Sequence, residues 1–228
     1  MTGRIIERPS PNHDMRAAGA AIDMVILHYT GMPSGSEALD RLCDAQSKVS
    51  AHYLVEEDGT VFRLVDEQRR AWHAGVSYWA GDTDINGCSI GIEIVNPGHE
   101  TGYRAFPDAQ MKAVIALCLD IRGRHEVPSA RFLGHSDVAP DRKQDPGELF
   151  DWRRLAGQGI GVWPDALGSG ENPDEATARS WLAEIGYNPV TALPVVLAAF
   201  QRHFRPARVD GLLDAETFAL LRARAAIS

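Results

Sequence analysis

The sequence predicts an α/β fold, with a mixed central β-sheet flanked by helices and a small C-terminal domain of three helices. Apolar runs of strand length alternate with helical segments in the order strand, helix, hairpin, strand, helix, strand, which is typical of such sheets. The chain has 228 residues, of which 44% are apolar, and this length allows one sizeable domain and a small one. A small polar segment at 168–173 has linker composition, so we place the domains at 1–168 and 174–228.

The N-terminal part of the chain is expected to hold an arm, a strand and a helix. Residues 1–20 are polar and contain proline, and we expect them to lie as an arm over the domain. The run 24–29 is mostly apolar, as in a strand covered on both faces. Ser36 is a suitable N-cap for a helix over 36–44 whose leucines face inward.

A hairpin and a third strand follow this helix. Segments 51–56 and 61–65 have strand character, and Gly59 between them can adopt the positive φ that the turn requires. Residues 66–87 form a long loop with several aromatic side chains, which is the length of a functional loop and suits one wall of a groove. The next strand covers 89–95, with isoleucines alternating along one face.

The remaining elements are mostly helical. Apolar residues recur at helical spacing over 107–124, which predicts a packing helix opened by proline. A short buried strand over 131–133 leads to a loop rich in proline, glycine and aspartate. The C-terminal region predicts three short helices, at 174–185, 194–204 and 214–224.

Composition argues against several classes of function. The formal net charge is −8, which offers no basic surface for nucleic acid, and no segment suits membrane insertion. The N-terminus lacks the features of a signal peptide, so we expect a cytoplasmic protein. The widely spaced Cys43, Cys88 and Cys118 fit neither a disulfide framework nor a zinc cluster, and we expect buried thiols.

Two histidines and a carboxylate form a candidate metal site. His135 follows the short strand, and Asp145 lies ten residues further along the same loop. His28 stands at the end of the first predicted strand and is the best candidate for a third ligand. Three protein ligands that leave a fourth position for water are typical of catalytic zinc, whereas structural zinc sites are closed by four ligands. Asp137 and Asp141 compete with Asp145, but Asp137 is expected to cap the loop.

The other histidines are assigned less directly. We interpret His73 as a groove residue and His52 as a core residue or a neighbour of a ligand, although each could replace a proposed ligand. The rest, in polar loops, at helix ends or in the tail, are assigned to solvent or packing; they are His13, His99, His125 and His203.

Glu93 and Lys143 are candidate catalytic residues. Glu93 shares a strand face with small and apolar residues, where desolvation raises a carboxyl pKa toward that of a general base. The pattern alone fits an acid at a sheet edge equally well. Lys143 is one of only three lysines beside twenty arginines, and a compact ammonium next to a metal ligand suits stabilisation of an oxyanion.

Five blocks in this order resemble the zinc-dependent N-acetylmuramoyl-L-alanine amidases, which are related to the peptidoglycan recognition proteins. The likeness covers roughly residues 20–165, and five blocks in the same order are far more specific than any one of them. The blocks are 25–31, 50–55, 71–75, 89–96 and 134–147.

The resemblance implies one Zn²⁺ per chain and hydrolysis of the amide between the lactyl group of N-acetylmuramic acid, or of its 1,6-anhydro form, and L-alanine. Its substrate would be peptidoglycan or a muropeptide. By position, the metal ligands are His28, His135 and Asp145, and the catalytic residues are Glu93 and Lys143. Groove residues expected to contact substrate are Tyr29, Trp72, His73 and Asn96.

Several alternatives remain. A non-catalytic peptidoglycan receptor would share the fold but lack a ligand. A peptidase of another zinc class is the second alternative, although the His-Glu-x-x-His motif is absent and histidines at strand ends differ from that helical arrangement. The tail resembles a three-helix peptidoglycan-binding module through 200–204 and 209–217, although a helical cap has similar composition. Binding to the wall would favour the periplasm or cell envelope. The sequence leaves the oligomeric state open.

Overall fold

A six-stranded mixed sheet forms the centre of the protein. The computed structural model describes residues 5–165 and 172–227. The strands are β1 (Ile5–Glu7), β2 (His13–Met15), β3 (Met24–Tyr29), β4 (Tyr53–Val55), β5 (Val61–Arg63), β6 (Arg69–Ala71), β7 (Ser89–Ile94) and β8 (Phe132–Gly134). The central sheet has the order β1-β5-β4-β7-β3-β8, and β2 pairs with β6 in a separate ribbon.

Helices cover both faces of this sheet, which confirms the predicted fold class. They are α1 (Gly35–Cys43), α2 (Ile85–Cys88), α3 (Gly98–Thr101), α4 (Asp108–His125), α5 (His135–Val138), α6 (Trp152–Ala156), α7 (Glu175–Ile185), α8 (Leu193–Phe204) and α9 (Ala215–Ala225). Strands β3, β7 and β8 are parallel neighbours, whereas β4 and β5 form the predicted antiparallel hairpin. Gly59 in that hairpin has φ of 88°.

The two faces of β3 belong to different parts of the core. Val25 and Leu27 pack in a cluster with the apolar side of α4. Met24 and Ile26 face the opposite way, into a cluster that includes residues of α7, α8 and α9. Every residue from 24 to 27 is therefore fully buried, as expected of a strand covered on both sides.

Several predicted elements need correction. Residues 5–20 are not only an arm, because they contribute β1 to the sheet edge and β2 to the ribbon. The expected loop at 66–87 contains β6 and begins α2. Ser34, and not Ser36, caps α1 by accepting a hydrogen bond from the Glu37 N–H. Short elements like these depend on distant pairing partners, which local sequence does not reveal.

The cysteines only partly match the prediction. Cys118 is completely buried in α4, and burial raises the pKa of its thiol. Cys43 and Cys88 are partly exposed. All three are free thiols.

The three C-terminal helices occur where the sequence predicts them. Asp174 and Asp214 cap α7 and α9 through hydrogen bonds from Thr177 and Thr217. The predicted linker falls mainly on residues 168–171, which lie outside the described residues. The helices share a hydrophobic cluster with β3, so they pack directly on the layer that carries the metal-site candidates.

Among residues 5–165 and 172–227, no helix combines the length and the hydropathy needed to cross a lipid bilayer.

Candidate active site

The register of three parallel strands brings the main candidates together. His28 on β3 pairs with Glu93 on β7. On the other side of β3, Leu27 pairs with Gly134 on β8. The residues that follow these two, His28 and His135, therefore meet at the carboxyl edge of the sheet. This edge of parallel strands commonly carries functional groups.

Asp145 completes a compact group of three potential metal ligands. The Nδ1 atoms of His28 and His135 are 2.9 Å apart, and Asp145 Oδ2 lies 2.9 Å from the first and 3.0 Å from the second. All three residues are buried, at 1%, 3% and 6% exposure respectively. Within the described part of the chain, this is the one group of three or more His, Cys, Asp or Glu residues close enough to hold a metal.

The other ring nitrogens of the two histidines already have partners. His135 Nε2 donates to the Ala74 carbonyl over 3.0 Å, and His28 Nε2 lies 3.1 Å from His73 Nδ1. Such outer contacts fix the tautomer and orientation of a ligating imidazole. They leave both Nδ1 atoms directed at Asp145, so the donor set fits a metal bound by two nitrogens and one oxygen.

Gly91 makes room for the His73 ring beneath this site. A Cβ on Gly91 would lie 2.4 Å from the His73 ring, so any larger residue would displace it. His73 Nε2 is also 3.2 Å from the Ser89 hydroxyl. The sequence predicted His73 as a groove residue; it does border the groove, and it also supports His28. His52, predicted as core or a neighbour of a ligand, is fully buried, and its ring lies 5.8 Å from the His73 ring.

The protonation states suit metal binding. Burial, together with the facing His135, lowers the pKa of His28 to about 4, so this imidazole is neutral at neutral pH. Burial alone would raise the pKa of Asp145, but His135 and the hydrogen bonds from both imidazoles lower it well below its ordinary value. Neutral imidazole and ionised carboxylate are the forms that coordinate metals.

Glu93 and Lys143 lie on the same groove as the three ligands. Burial and the neighbouring Asp145 raise the pKa of Glu93 well above its ordinary value, although Lys143 opposes the shift. Glu93 Oε2 is buried without a hydrogen-bond partner among the described residues. A desolvated carboxylate with a free oxygen beside a metal site can accept a proton from water.

The groove has a volume of about 620 Å³. Tyr29 and Trp72 line it as predicted. The Tyr29 hydroxyl lies 3.0 Å from His99 Nδ1, and Trp72 Nε1 donates to Asp14 over 2.7 Å. Both side chains are thus held in place and present ring surface to the groove.

Asn96, which the sequence predicted to contact substrate, does not line the groove. The residue is completely buried, and its side-chain amide donates to the Arg104 carbonyl over 2.8 Å. Its Oδ1 accepts a hydrogen bond from the Gly98 N–H. Asn96 therefore shapes the loop after β7, which carries His99 to the groove.

His99 was missed by the sequence reasoning, which assigned it to solvent or packing. It lines the groove, stacks on Tyr103 with ring centroids 4.2 Å apart, and donates through Nε2 to Glu148 over 3.1 Å. No motif marks it, because its position depends on a turn between distant loops. Arg41 and Arg142, which also line the groove, were missed for the same reason.

Asp137 caps the loop, as predicted. Its Oδ2 accepts a hydrogen bond from the Gly134 N–H over 2.8 Å. It also binds two C-terminal side chains that the sequence did not indicate, Tyr187 at 2.7 Å and His203 at 2.8 Å.

Residues 18–148 match the family model described as N-acetylmuramoyl-L-alanine amidase. The chain is 39% identical to the N-acetylmuramoyl-L-alanine amidase AmiD of Escherichia coli, over 96% of this chain and 89% of the relative. It is 34% identical to the 1,6-anhydro-N-acetylmuramyl-L-alanine amidase AmpD of Enterobacter cloacae, over 64% of this chain and 86% of the relative.

Solved structures show the same likeness. The complex of Escherichia coli AmiD with anhydro-N-acetylmuramic acid-L-Ala-D-gamma-Glu-L-Lys superposes with a TM-score of 0.82 at 39% identity, over 91% of each chain. The complex of Pseudomonas aeruginosa AMPDH3 with anhydromuramic pentapeptide has a TM-score of 0.82 at 33% identity, over 89% of this chain and 90% of the other.

The raised pKa of Glu93 gives a testable effect on stability in the metal-free protein. The native state holds the Glu93 proton more tightly than the unfolded state, so wild-type stability falls as pH rises above the ordinary value of 4.5. Glu93→Gln removes this penalty. We expect the free energy of unfolding of the variant, relative to wild type, to rise steadily as the pH increases from 4.5 to 8. Denaturant unfolding after chelation measures the difference, and a pH-independent difference contradicts the desolvated environment.

Proposed function

Since the chain belongs to the N-acetylmuramoyl-L-alanine amidase family, we propose a zinc-dependent mechanism for the reaction it catalyses, hydrolysis of the amide bond between the lactyl group of N-acetylmuramic acid and L-alanine. The observation that carries the mechanism is the convergence of three ligand atoms within 3.0 Å of one another, next to a buried, unpaired carboxylate oxygen.

His28, His135 and Asp145 would hold the zinc. Two neutral imidazoles and one carboxylate form a set common in catalytic zinc sites, which keep a further position for water or substrate. When bound, zinc lowers the pKa of a coordinated water to about 7 and polarises a carbonyl.

Glu93 and Lys143 perform the protein's part of the chemistry. Glu93 accepts a proton from the attacking water and returns it to the amine of L-alanine as the C–N bond breaks. Burial raises the pKa of Glu93 above its ordinary value, and a raised pKa makes the carboxylate a better proton acceptor. Lys143 lines the groove together with the three ligands, and its ammonium stabilises the oxyanion of the tetrahedral intermediate.

The groove suits a muropeptide that carries carboxylates on its stem peptide. The groove wall includes the cations Arg41, Arg142 and Lys143 together with the acids Glu93, Glu100 and Asp145. Asp145 is assigned to the metal and Glu93 to proton transfer, so the cations are left to meet the stem peptide. Cationic side chains attract and orient anionic ligands. Two relatives were solved with anhydromuramyl peptides, so we include the 1,6-anhydro form among the substrates.

A non-catalytic receptor is a weaker alternative. A receptor needs neither a complete set of ligands nor a desolvated Glu93 close to them, and an unpaired buried carboxylate oxygen destabilises a fold. The presence of both features in one groove therefore favours catalysis.

Incubation with defined substrates, followed by mass analysis, tests the function. We expect the zinc-loaded protein to release the stem peptide from an anhydromuropeptide and to leave a plain peptide of the same sequence intact. Glu93→Gln should lower the rate by about 10²–10⁴-fold while zinc stays bound. Cleavage of the plain peptide instead, or an unchanged rate in the variant, would contradict this assignment. Parallel incubation with intact sacculi compares polymeric with soluble substrate.

Zinc binding depends on the full ligand set. Asp145→Asn replaces an ionised ligand with a neutral amide of the same size, so we expect zinc affinity to fall by at least about 100-fold. Titration against a chromogenic chelator measures this affinity. Asp141→Asn is the matched control, because Asp141 lies in the same loop but is exposed. Equal affinity in both variants would remove Asp145 from the site.

The proposed role of Lys143 in stabilising the oxyanion can be tested by comparison with a second lysine. Lys143→Met removes the ammonium and keeps most of the side-chain length, and we expect kcat to fall by about 10²–10³-fold, as for loss of an oxyanion-stabilising group. Lys112→Met is the control, since Lys112 lies on the surface of α4 in an ion pair with Asp108. The two variants are compared by steady-state kinetics, and a normal kcat for Lys143→Met would exclude the proposed role.

A further inference from the structure

Asp137 joins the catalytic loop to the C-terminal helices. Its carboxylate receives three hydrogen bonds: from the Gly134 N–H at 2.8 Å, the Tyr187 hydroxyl at 2.7 Å and His203 Nδ1 at 2.8 Å. Asp137 lies two residues after His135 in the single turn of α5. Two of its three donors therefore come from a part of the chain more than forty residues away.

The two C-terminal donors are firmly held. Tyr187 and His203 are exposed by only 1% and 3%. The His203 ring stacks on Trp152 at 3.9 Å and on Phe204 at 4.0 Å, and the Tyr187 ring packs on Trp79 at 5.0 Å. Rings packed on both sides cannot reorient easily, so they fix the carboxylate they bind.

Packing alone does not explain an imidazole at position 203. His203 Nε2 is buried without a hydrogen-bond partner among the described residues, and an unsatisfied buried nitrogen destabilises a fold. Among residues 5–165 and 172–227, the hydrogen bond from Nδ1 to Asp137 is thus the one polar contact of the His203 side chain.

The position of Asp137 determines the positions of two ligands. By accepting from the Gly134 N–H, Asp137 closes the turn that begins at His135. Ser136, which lies between His135 and Asp137, donates its N–H to the Asp145 carbonyl over 2.9 Å. Movement of Asp137 would therefore shift both His135 and the backbone of Asp145.

Helix α8 also reaches the segment that follows Asp145. Arg202, the neighbour of His203, lies 3.7 Å from Glu148. Glu148 in turn accepts a hydrogen bond from His99 on the groove wall. Two adjacent residues of one helix thus contact the catalytic segment at two points, just after His135 and just after Asp145.

We propose that Tyr187 and His203 are positioning residues of the active site, which act through Asp137 to hold His135 and Asp145 in place for metal binding and catalysis. The C-terminal helices are then part of the catalytic apparatus and not a separable module. The inference rests on the proposed function of the three ligands, and it extends that function to residues outside the groove.

Conservative variants test the link. Tyr187→Phe and His203→Phe each remove a donor and keep an aromatic ring, whereas His203→Asn returns a donor near the Nδ1 position. We expect both Phe variants to lower zinc affinity and kcat by about tenfold, which is the lower end of the losses seen when partners of metal ligands are removed. We expect KM to change by less than about twofold. His203→Asn should recover kcat to within about threefold of wild type.

Gln201→Met is the matched control. Gln201 is fully buried in α8. Among the described residues, its side chain bonds only within the C-terminal region, to Leu212, Thr217, Asp210 and Gly211. We expect this variant to lower the Tm while kcat and zinc affinity, measured below the Tm, stay at wild-type values. It separates destabilisation of the helices from loss of the contact with Asp137.

Two results overturn the inference. One is wild-type kcat and zinc affinity in Tyr187→Phe, which keeps its ring and so tests the link even if His203→Phe does not fold. The other is an equal loss of kcat in Gln201→Met, which would show a general structural effect. Failure of the proposed function gives a different result, because the zinc-loaded wild type would itself be inactive on anhydromuropeptide. The zinc affinities of the variants would then still show whether Tyr187 and His203 support the ligands.

Discussion

The alignment of three parallel strands is the constraint on which the rest of the site depends. His28 on the middle strand faces Glu93 on one side and lies next to His135 on the other. A shift of one residue in either pairing would turn a ligand or the base to the opposite face of the sheet. The apolar residues that bury β3 on both faces therefore also fix the chemistry at its end.

The loop that supplies Asp145 depends on less regular contacts. Its backbone is held by Ser136 on one side and by the Tyr103 hydroxyl, which donates to the Pro146 carbonyl, on the other. The first of these bonds joins two backbone groups, and the second joins a side chain to the backbone. Tyr187 and His203 of the C-terminal region add hydrogen bonds to Asp137, so the site is supported from the sheet and from the C-terminal region.

The sequence predicts most of this fold and the centre of the site. His28 and His135 end apolar runs, and Lys143 stands out in a chain with few lysines, so local signals mark them. The position of His99 and the burial of Asn96 depend on how one loop folds back on itself, and periodicity carries no such information. The contacts of Tyr187 and His203 with Asp137 join residues 50 and 66 positions apart, and only tertiary packing brings them together.

The most direct measurement is a crystal structure of the zinc-loaded protein with data collected at the zinc absorption edge. The account predicts one strong anomalous peak at about 2.0–2.2 Å from His28 Nδ1, His135 Nδ1 and a carboxylate oxygen of Asp145. A peak bound by other residues, or bound through the Nε2 atoms, would contradict it.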